Sequence, residues 1–112
     1  MKILSKRRNK IIEDIESLLP KSIRGFAKKV LIYNFLPKIP KTHYSNAFCY
    51  YYSKKHKSTI FIYPIFWKYN SKEQKRIIFH EIAHIYLHFH NLKNNEREAN
   101  KLTKLWIEYN KK

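Results

Sequence analysis

The sequence predicts an α+β domain in which helices pack on one face of a short mixed sheet. Apolar residues recur at helical spacing near both ends of the chain, whereas two segments in the middle are rich in aromatic and β-branched residues. Strands flanked by helices in this way are typical of the class. The 112 residues, 44% of them hydrophobic, are enough for one domain that buries its own core. We therefore treat residues 1–112 as a single domain, with an N-terminal helical part over residues 1–40 and a sheet and helical core over residues 41–112.

The first predicted element is a helix over residues 6–18, which Pro20 ends. Its apolar residues at helical spacing are Ile11, Ile12, Ile15, Leu18 and Leu19. The next segment, residues 22–35, is ambiguous. Its apolar residues suit a second helix, but the VLIY sequence at 30–33 also suits a strand.

Two strands are predicted in the middle of the chain. Residues 47–52 and 59–63 are rich in aromatic and β-branched residues, and the polar segment 53–58 between them is predicted to be a hairpin loop. Pro64 follows the second strand. Because proline is confined largely to the margins of a sheet, we expect this strand to lie at an edge.

A long helix is predicted after the sheet. Ser71 is its expected N-cap, and Gln74, three residues further on, would complete a capping box. The apolar spacing continues to about Phe89.

The asparagine-rich segment 91–95 then interrupts the helical pattern. Either Asn94 or Asn95 can cap a last helix, because both side chains accept hydrogen bonds from free backbone N–H groups. This last helix is predicted from Glu96 to about Tyr109.

The chain is strongly basic. Lysine and arginine number 24 against 8 aspartates and glutamates, which gives a formal net charge of +16. Such a chain attracts anions, including nucleic acid. The sequence contains neither a Cys/His finger nor a glycine-rich phosphate loop, so both a lysine-rich solvated surface and an anion-binding face stay open.

Cysteine usage and hydropathy indicate the cytoplasm. Cys49 is the single cysteine, which excludes an intrachain disulfide and fits a reducing compartment. The longest apolar run, residues 60–67, is far shorter than the ~20 residues that a membrane span needs. No apolar signal region follows the basic N-terminus. We therefore expect no membrane span.

Two histidines and a glutamate form a compact motif on the long helix. In the sequence HEIAH at 80–84, His80 and His84 lie about 40° apart on a helical wheel and one turn apart along the axis. Two imidazoles in this arrangement can bind one tetrahedral Zn²⁺. Glu81 projects beside the same point, where it could act on a water molecule. The alternative is a helix with solvated histidines.

The remaining histidines are weaker candidates. His88 continues the face of His84, but three histidines on one straight helix diverge from a single point, so we expect His88 to be a polar residue of the cleft. His90, His43 and His56 are expected to face solvent.

The start of the last helix supplies a third candidate ligand. Glu96 and Asn100 lie one turn apart on one face. The Glu96 carboxylate can complete a three-residue zinc site, and Asn100 can accept a hydrogen bond from the outer ring nitrogen of a ligating histidine. Glu98 is expected to face solvent. The alternative for Glu96 is a carboxylate favoured by the helix dipole.

The two motifs together resemble the gluzincin zinc metallopeptidases, in which H-E-x-x-H is followed by E-x-E-A-D or a close variant. The short chain is most similar to the minigluzincins, which resemble the catalytic cores of membrane-integral peptidases, and ImmA/IrrE-type peptidases share a similar pattern. The resemblance covers residues 59–107. The chain departs from it in having Asn100 where the family often has aspartate, and in placing only eleven residues between His84 and Glu96.

The resemblance implies a zincin-like fold with Zn²⁺ bound by His80, His84 and Glu96, and with Glu81 as general base. A second electrophile is expected from Tyr109, His88 or a tyrosine of the sheet. The strand before the active helix would form a wall of the cleft to which an extended peptide adds. Its residues are Thr59, Ile60, Phe61, Ile62 and Tyr63.

The expected function is therefore that of a small zinc-dependent endopeptidase acting on peptides or proteins. The alternative is a basic nucleic-acid-associated protein with a structural or vestigial metal site. The resemblance also implies that short members can be held inactive by their own C-terminal segment. Residues 102–109 are apolar enough to exchange between chains, so self-association through this helix is a third expectation.

Overall fold

The computed structural model describes residues 2–3, 9–27, 30–33, 47–52, 57–62 and 64–109. It contains four α helices, which are α1 (Asn9–Ser17), α2 (Lys21–Ala27), α3 (Ser71–Phe89) and α4 (Glu96–Tyr109). Its strands are β1 (Lys2–Ile3), β2 (Val30–Tyr33), β3 (Ala47–Tyr52) and β4 (Lys57–Ile62). A 3-10 helix, Pro64–Lys68, precedes α3.

The α+β fold class predicted from the sequence is wrong, because helices dominate the described chain. The two longest helices have 19 and 14 residues, whereas no strand exceeds 6 residues. The buried apolar core is also mainly helical: only Val30, Ile60 and Ile62 of its described members lie on strands. The middle segments follow the local preference for extended backbone, but the larger part of the apolar burial falls to the helices.

The short strands lie in the order β1-β2-β4-β3, with β1–β2 and β2–β4 parallel and β3–β4 antiparallel. The predicted edge position of the strand before α3 is therefore wrong, since β4 lies between two neighbours. Ile60, for example, is opposite Ile32 on one side and Cys49 on the other. Pro64 is compatible with this interior strand because it lies past the end of β4 and begins the 3-10 helix.

The N-terminal region contains both a second helix and a strand, the two alternatives predicted for residues 22–35. The helix predicted over residues 6–18 is α1, and residues 6–8 lie outside the described part of the chain. The ambiguous segment 22–35 contains most of α2 and all of strand β2, and its residues 28–29 and 34–35 lie outside the described part of the chain. Phe26 of α2 packs edge-on against Tyr86 of α3, with ring centroids 5.6 Å apart.

The start of α3 differs from the prediction by one residue. Asn70, not Ser71, is the N-cap, and its Oδ1 accepts a hydrogen bond of 2.9 Å from the Glu73 backbone N–H. Gln74 is buried, and its amide nitrogen donates to the Phe66 carbonyl at 3.2 Å. The expected capping box is thus replaced by a hydrogen bond to the preceding 3-10 helix.

A tight turn after α3 sets the position of α4. The Leu92 N–H donates to the Leu87 carbonyl at 2.9 Å and the Asn91 N–H to the His88 carbonyl at 3.2 Å, the hydrogen-bond pattern of a Schellman motif. Asn91 has the left-handed φ of 55° that this motif requires. Four residues after Asn91, Asn95 Oδ1 accepts a hydrogen bond of 2.8 Å from the Glu98 N–H and caps α4.

Helix α4 packs along α3 and contributes to the same core. Trp106 is buried, and its ring meets those of Phe79 and Tyr86 edge-on at 6.3 and 6.1 Å. The predicted bounds of α4 and the predicted end of α3 are confirmed. None of the helices in the described ranges has the length and apolar character needed to cross a membrane.

Candidate metal centre

The two histidines of the HEIAH motif converge on one point. His80 and His84 lie one turn apart on α3, and their Nε2 atoms are 3.1 Å apart. Both side chains are mostly shielded from solvent by the elements around α3. The helical spacing read from the sequence therefore produces the predicted pair of convergent imidazoles.

Glu96 reaches the same point from the first turn of α4. Its Oε1 lies 2.8 Å from His84 Nε2 and its Oε2 lies 3.0 Å from His80 Nε2. In a tetrahedral zinc site with bonds of ~2.0–2.1 Å, neighbouring ligand atoms are separated by about 3.3–3.4 Å. The observed separations are a few tenths of an ångström shorter, so a small rotation of the side chains would accommodate an ion.

The hydrogen bond between His84 and Asn94 indicates which ring nitrogen of His84 can bind a cation. Its Nδ1 lies 2.7 Å from Asn94 Oδ1, an oxygen that can only accept, so Nδ1 carries the proton. In the neutral ring, Nε2 then presents a lone pair towards the negatively charged carboxylate of Glu96. Two electron-pair donors that face each other at 2.8 Å are compatible only with a cation between them, either a proton or a metal ion.

His80 is also suited to bind as a neutral imidazole. Burial lowers its pKa, and the nearby His84 lowers it further, whereas Glu96 acts in the opposite direction. Its Nδ1 is buried and has no hydrogen-bond partner among the described residues. A ring that is held neutral keeps a lone pair available for coordination.

Glu81 lies in the wall of the same site. Burial, followed by the negative charge of Glu96, raises the pKa of its carboxyl group to about 8. Donor atoms of His80, Glu81 and His84 all lie within 4.8 Å of one another. This group could hold a metal ion, and its geometry does not select one particular metal.

The residue that orients His84 was missed by the sequence analysis. Asn94 lies in the turn before α4, where its type indicated only a helix cap or a turn. Asn100, for which this role was predicted, is exposed on α4. A possible signal was the pair of neighbouring asparagines: once Asn95 caps the helix, Asn94 is available to bind a side chain.

The other acidic and aromatic candidates lie away from the convergence point. Glu98 pairs with Lys101 Nζ at 3.4 Å on the surface of α4. His88 packs against Phe89 with ring centroids 4.9 Å apart. Tyr109 ends α4, thirteen residues or about 20 Å along the helix axis from Glu96, so it is poorly placed as an electrophile within the same chain.

Of the three remaining histidines, only His90 lies among the described residues. His90 is exposed, as expected, but its ring stacks on Tyr86 at 4.0 Å and its Nδ1 donates to the Tyr86 carbonyl at 2.8 Å. His43 and His56 lie outside the described residues.

The strand predicted to bind substrate has little backbone free for that purpose. Thr59, Ile60 and Phe61 of β4 are paired with β2 on one side and β3 on the other. A peptide cannot add to an interior strand, since its hydrogen-bonding groups are already used. Ile62 is paired with β3, and Tyr63 lies outside the described residues.

Comparison with known proteins finds no match: no protein-family model, no curated protein and no solved structure is detectably similar to the chain. The likeness to zinc metallopeptidases therefore rests on the H-E-x-x-H spacing and on the geometry of the site alone.

Proposed function

We propose that the protein is a small zinc-dependent peptide hydrolase of gluzincin type. The observation that carries the proposal is the convergence of His80 Nε2, His84 Nε2 and the Glu96 carboxylate within 3.1 Å, beside the buried carboxyl group of Glu81. A structural zinc site is normally closed by four protein ligands, whereas three ligands leave a position for water or substrate.

The donor set favours zinc among the common metals. Two imidazole nitrogens and one carboxylate are the ligands of many catalytic Zn²⁺ sites, whereas Mg²⁺ and Ca²⁺ prefer oxygen ligands alone. When bound, Zn²⁺ would lower the pKa of a coordinated water and polarise a carbonyl group. Asn94 supports this set by holding the His84 ring through Nδ1 at 2.7 Å.

Glu81 supplies the proton transfers in this proposal. In its ionised form, which a bound cation would favour, it takes a proton from the attacking water as general base, and as general acid it returns that proton to the leaving amine. It follows His80 directly in sequence, and its burial excludes bulk water from the carboxyl group. The H-E-x-x-H pattern gives the glutamate the same two functions in the metallopeptidases that the chain resembles.

The test combines metal analysis with an activity assay. The purified protein should contain about one zinc per chain by mass spectrometry, and it should hydrolyse casein until a chelator is added. Glu81→Gln should retain zinc and lose hydrolysis, since the amide cannot accept the proton. Glu98→Gln, which changes an exposed carboxylate on the next helix, is the matched control and should retain both. Equal activity of the Glu81 variant and the unmodified protein would refute the assignment.

The net charge of +16 favours a second candidate, a nucleic-acid-associated protein in which the metal site is structural. Such a protein would bind DNA or RNA with an affinity that falls steeply as the salt concentration rises. It would hydrolyse no peptide, whether or not zinc is bound. Binding without catalysis would support this candidate over the hydrolase.

A further inference from the structure

A basic cavity lies at the N-terminal end of α3, and one of its lining residues, Arg76, precedes His80 by one helical turn. Its volume is about 470 Å³. Three cationic side chains and one carboxylate line it, which gives it an excess of positive charge. The lining residues are Asn70, Lys72, Glu73, Lys75, Arg76 and Ile107.

Arg76 connects this cavity with the metal centre. It precedes His80 by four residues, so the two side chains lie one turn apart, about 6 Å along the axis, and about 40° apart around it. A group bound by Arg76 would therefore be a near neighbour of a substrate at the metal.

The guanidinium of Arg76 is oriented but not saturated. Its Nε donates to Glu73 Oε1, which fixes the direction of the side chain. The two terminal nitrogens carry four further N–H groups, and the hydrogen bond to Glu73 uses none of them. This planar pair of nitrogens matches the two oxygens of a carboxylate.

The two lysines of the cavity strengthen its attraction for anions. Neither Lys72 nor Lys75 forms an ion pair with another residue of the described chain. Glu73 is the one acidic side chain in the lining, and it is paired with Arg76. An incoming carboxylate thus meets three positive charges and one negative charge, a net charge of +2.

We propose that this cavity binds an acidic side chain of the substrate, so that the enzyme favours peptides with aspartate or glutamate near the scissile bond. The inference rests on the proposed hydrolase function. Because an extended peptide advances ~3.3 Å per residue, a carboxylate held by Arg76 belongs to a residue about one to three positions from the bond that is cut.

The test compares pairs of casein-derived peptides that differ in one residue, Glu or Gln, and this residue is scanned along the whole peptide. Where cleavage occurs, the three positions on each side of the cut bond are compared. Binding is measured on zinc-loaded Glu81→Gln protein, so that substrate is not consumed. At one position, the Glu peptide should bind roughly tenfold or more tightly than the Gln peptide. Arg76→Gln in the same background should reduce this ratio to about one, with zinc content unchanged.

A charge reversal makes the test specific. Arg76→Glu should favour a lysine peptide over a glutamate peptide at the same position, whereas Lys104→Gln, an exposed charge on α4, should leave the original preference intact. Equal binding of the Glu and Gln peptides at all positions, alongside hydrolysis that depends on zinc and Glu81, would overturn the acidic specificity while the hydrolase stands. An acidic preference that depends on Arg76, without hydrolysis of any peptide, would support the carboxylate site and overturn the hydrolase.

Discussion

At the scale of single residues, the outer nitrogen of His84 faces Asn94 Oδ1 at 2.7 Å. This hydrogen bond selects one tautomer and directs the lone pair of Nε2 towards His80 and Glu96. We expect Asn94→Ala to weaken zinc binding by ~10–100-fold, the usual effect of losing such a partner. Asn100→Ala is the matched control, since Asn100 is exposed on α4. Competition with a chromophoric chelator measures the zinc affinity of both variants. An equal loss of affinity in the two would refute the role of Asn94.

Glu96 and Glu98 provide a second comparison at this scale. Glu96 lies within 3.0 Å of both histidine Nε2 atoms, whereas Glu98 pairs with Lys101. Glu96→Ala should therefore weaken zinc binding by more than the ~10–100-fold expected for an orienting residue. Glu98→Ala should leave the affinity within about twofold, because exposed ion pairs contribute little. The same chelator competition would disprove the ligand assignment if the order of the two variants were reversed.

The raised pKa of Glu81 predicts how the unfolding free energy of the metal-free protein depends on pH. Its pKa rises from 4.5 to about 8 on folding, so the neutral carboxyl group stabilises the folded state fully below pH 4.5. This contribution is lost as the pH rises towards 8. Between pH 5 and pH 8, the metal-free protein should lose on the order of 3 kcal/mol of unfolding free energy relative to Glu81→Gln. Urea unfolding at the two pH values measures the difference, and parallel pH profiles would contradict the raised pKa.

At the scale of elements, the turn between α3 and α4 determines whether a third ligand reaches the histidines. Asn91 adopts φ 55°, where a residue with a β-branched side chain is strained. Asn91→Val should reduce the unfolding free energy by ~1–2 kcal/mol and also weaken zinc binding, because Glu96 follows this turn. Asn91→Gly, the control, should keep both properties. Urea unfolding and chelator competition test the pair; a Val variant as stable as the Gly variant would contradict the motif.

Strand β4 was predicted from the sequence, but its position in the sheet was predicted wrongly. Pro64 correctly ends the second predicted strand, but the parallel pairing of β2 with β4 makes that strand an interior one. The partner segment 30–33 lies far earlier in the chain. Proline acts on its own backbone and the residue before it, so it carries no information on which distant strand will pair.

At the scale of the whole molecule, α4 has one face in the core and another in solvent. Trp106 is buried, whereas Leu105 and Tyr109 are exposed and line an apolar cavity of about 500 Å³. The expectation of self-association through this helix stays a proposal. Because a charge of +16 opposes association, the mass measured by light scattering should rise with salt concentration, and Leu105→Lys should prevent that rise. A constant monomer mass across concentration and salt would exclude self-association.

The sequence by itself determined the features that depend on residues close together in the chain. The bounds of α3 and α4 follow from apolar spacing, and the convergence of His80 with His84 follows from the 3.6-residue turn of a helix. The position of Glu96 on the next helix was also predictable, since the connection of six residues between α3 and α4 leaves it little freedom.

Only the tertiary structure decided the features that depend on distant parts of the chain. These are the predominance of helices in the core, the interior position of β4 and the choice of Asn94 over Asn100 beside His84. The spacing of residues along a segment specifies which side chains share a face. It does not specify which of several chemically equal partners a fold brings to that face, because that choice depends on how all the elements pack together.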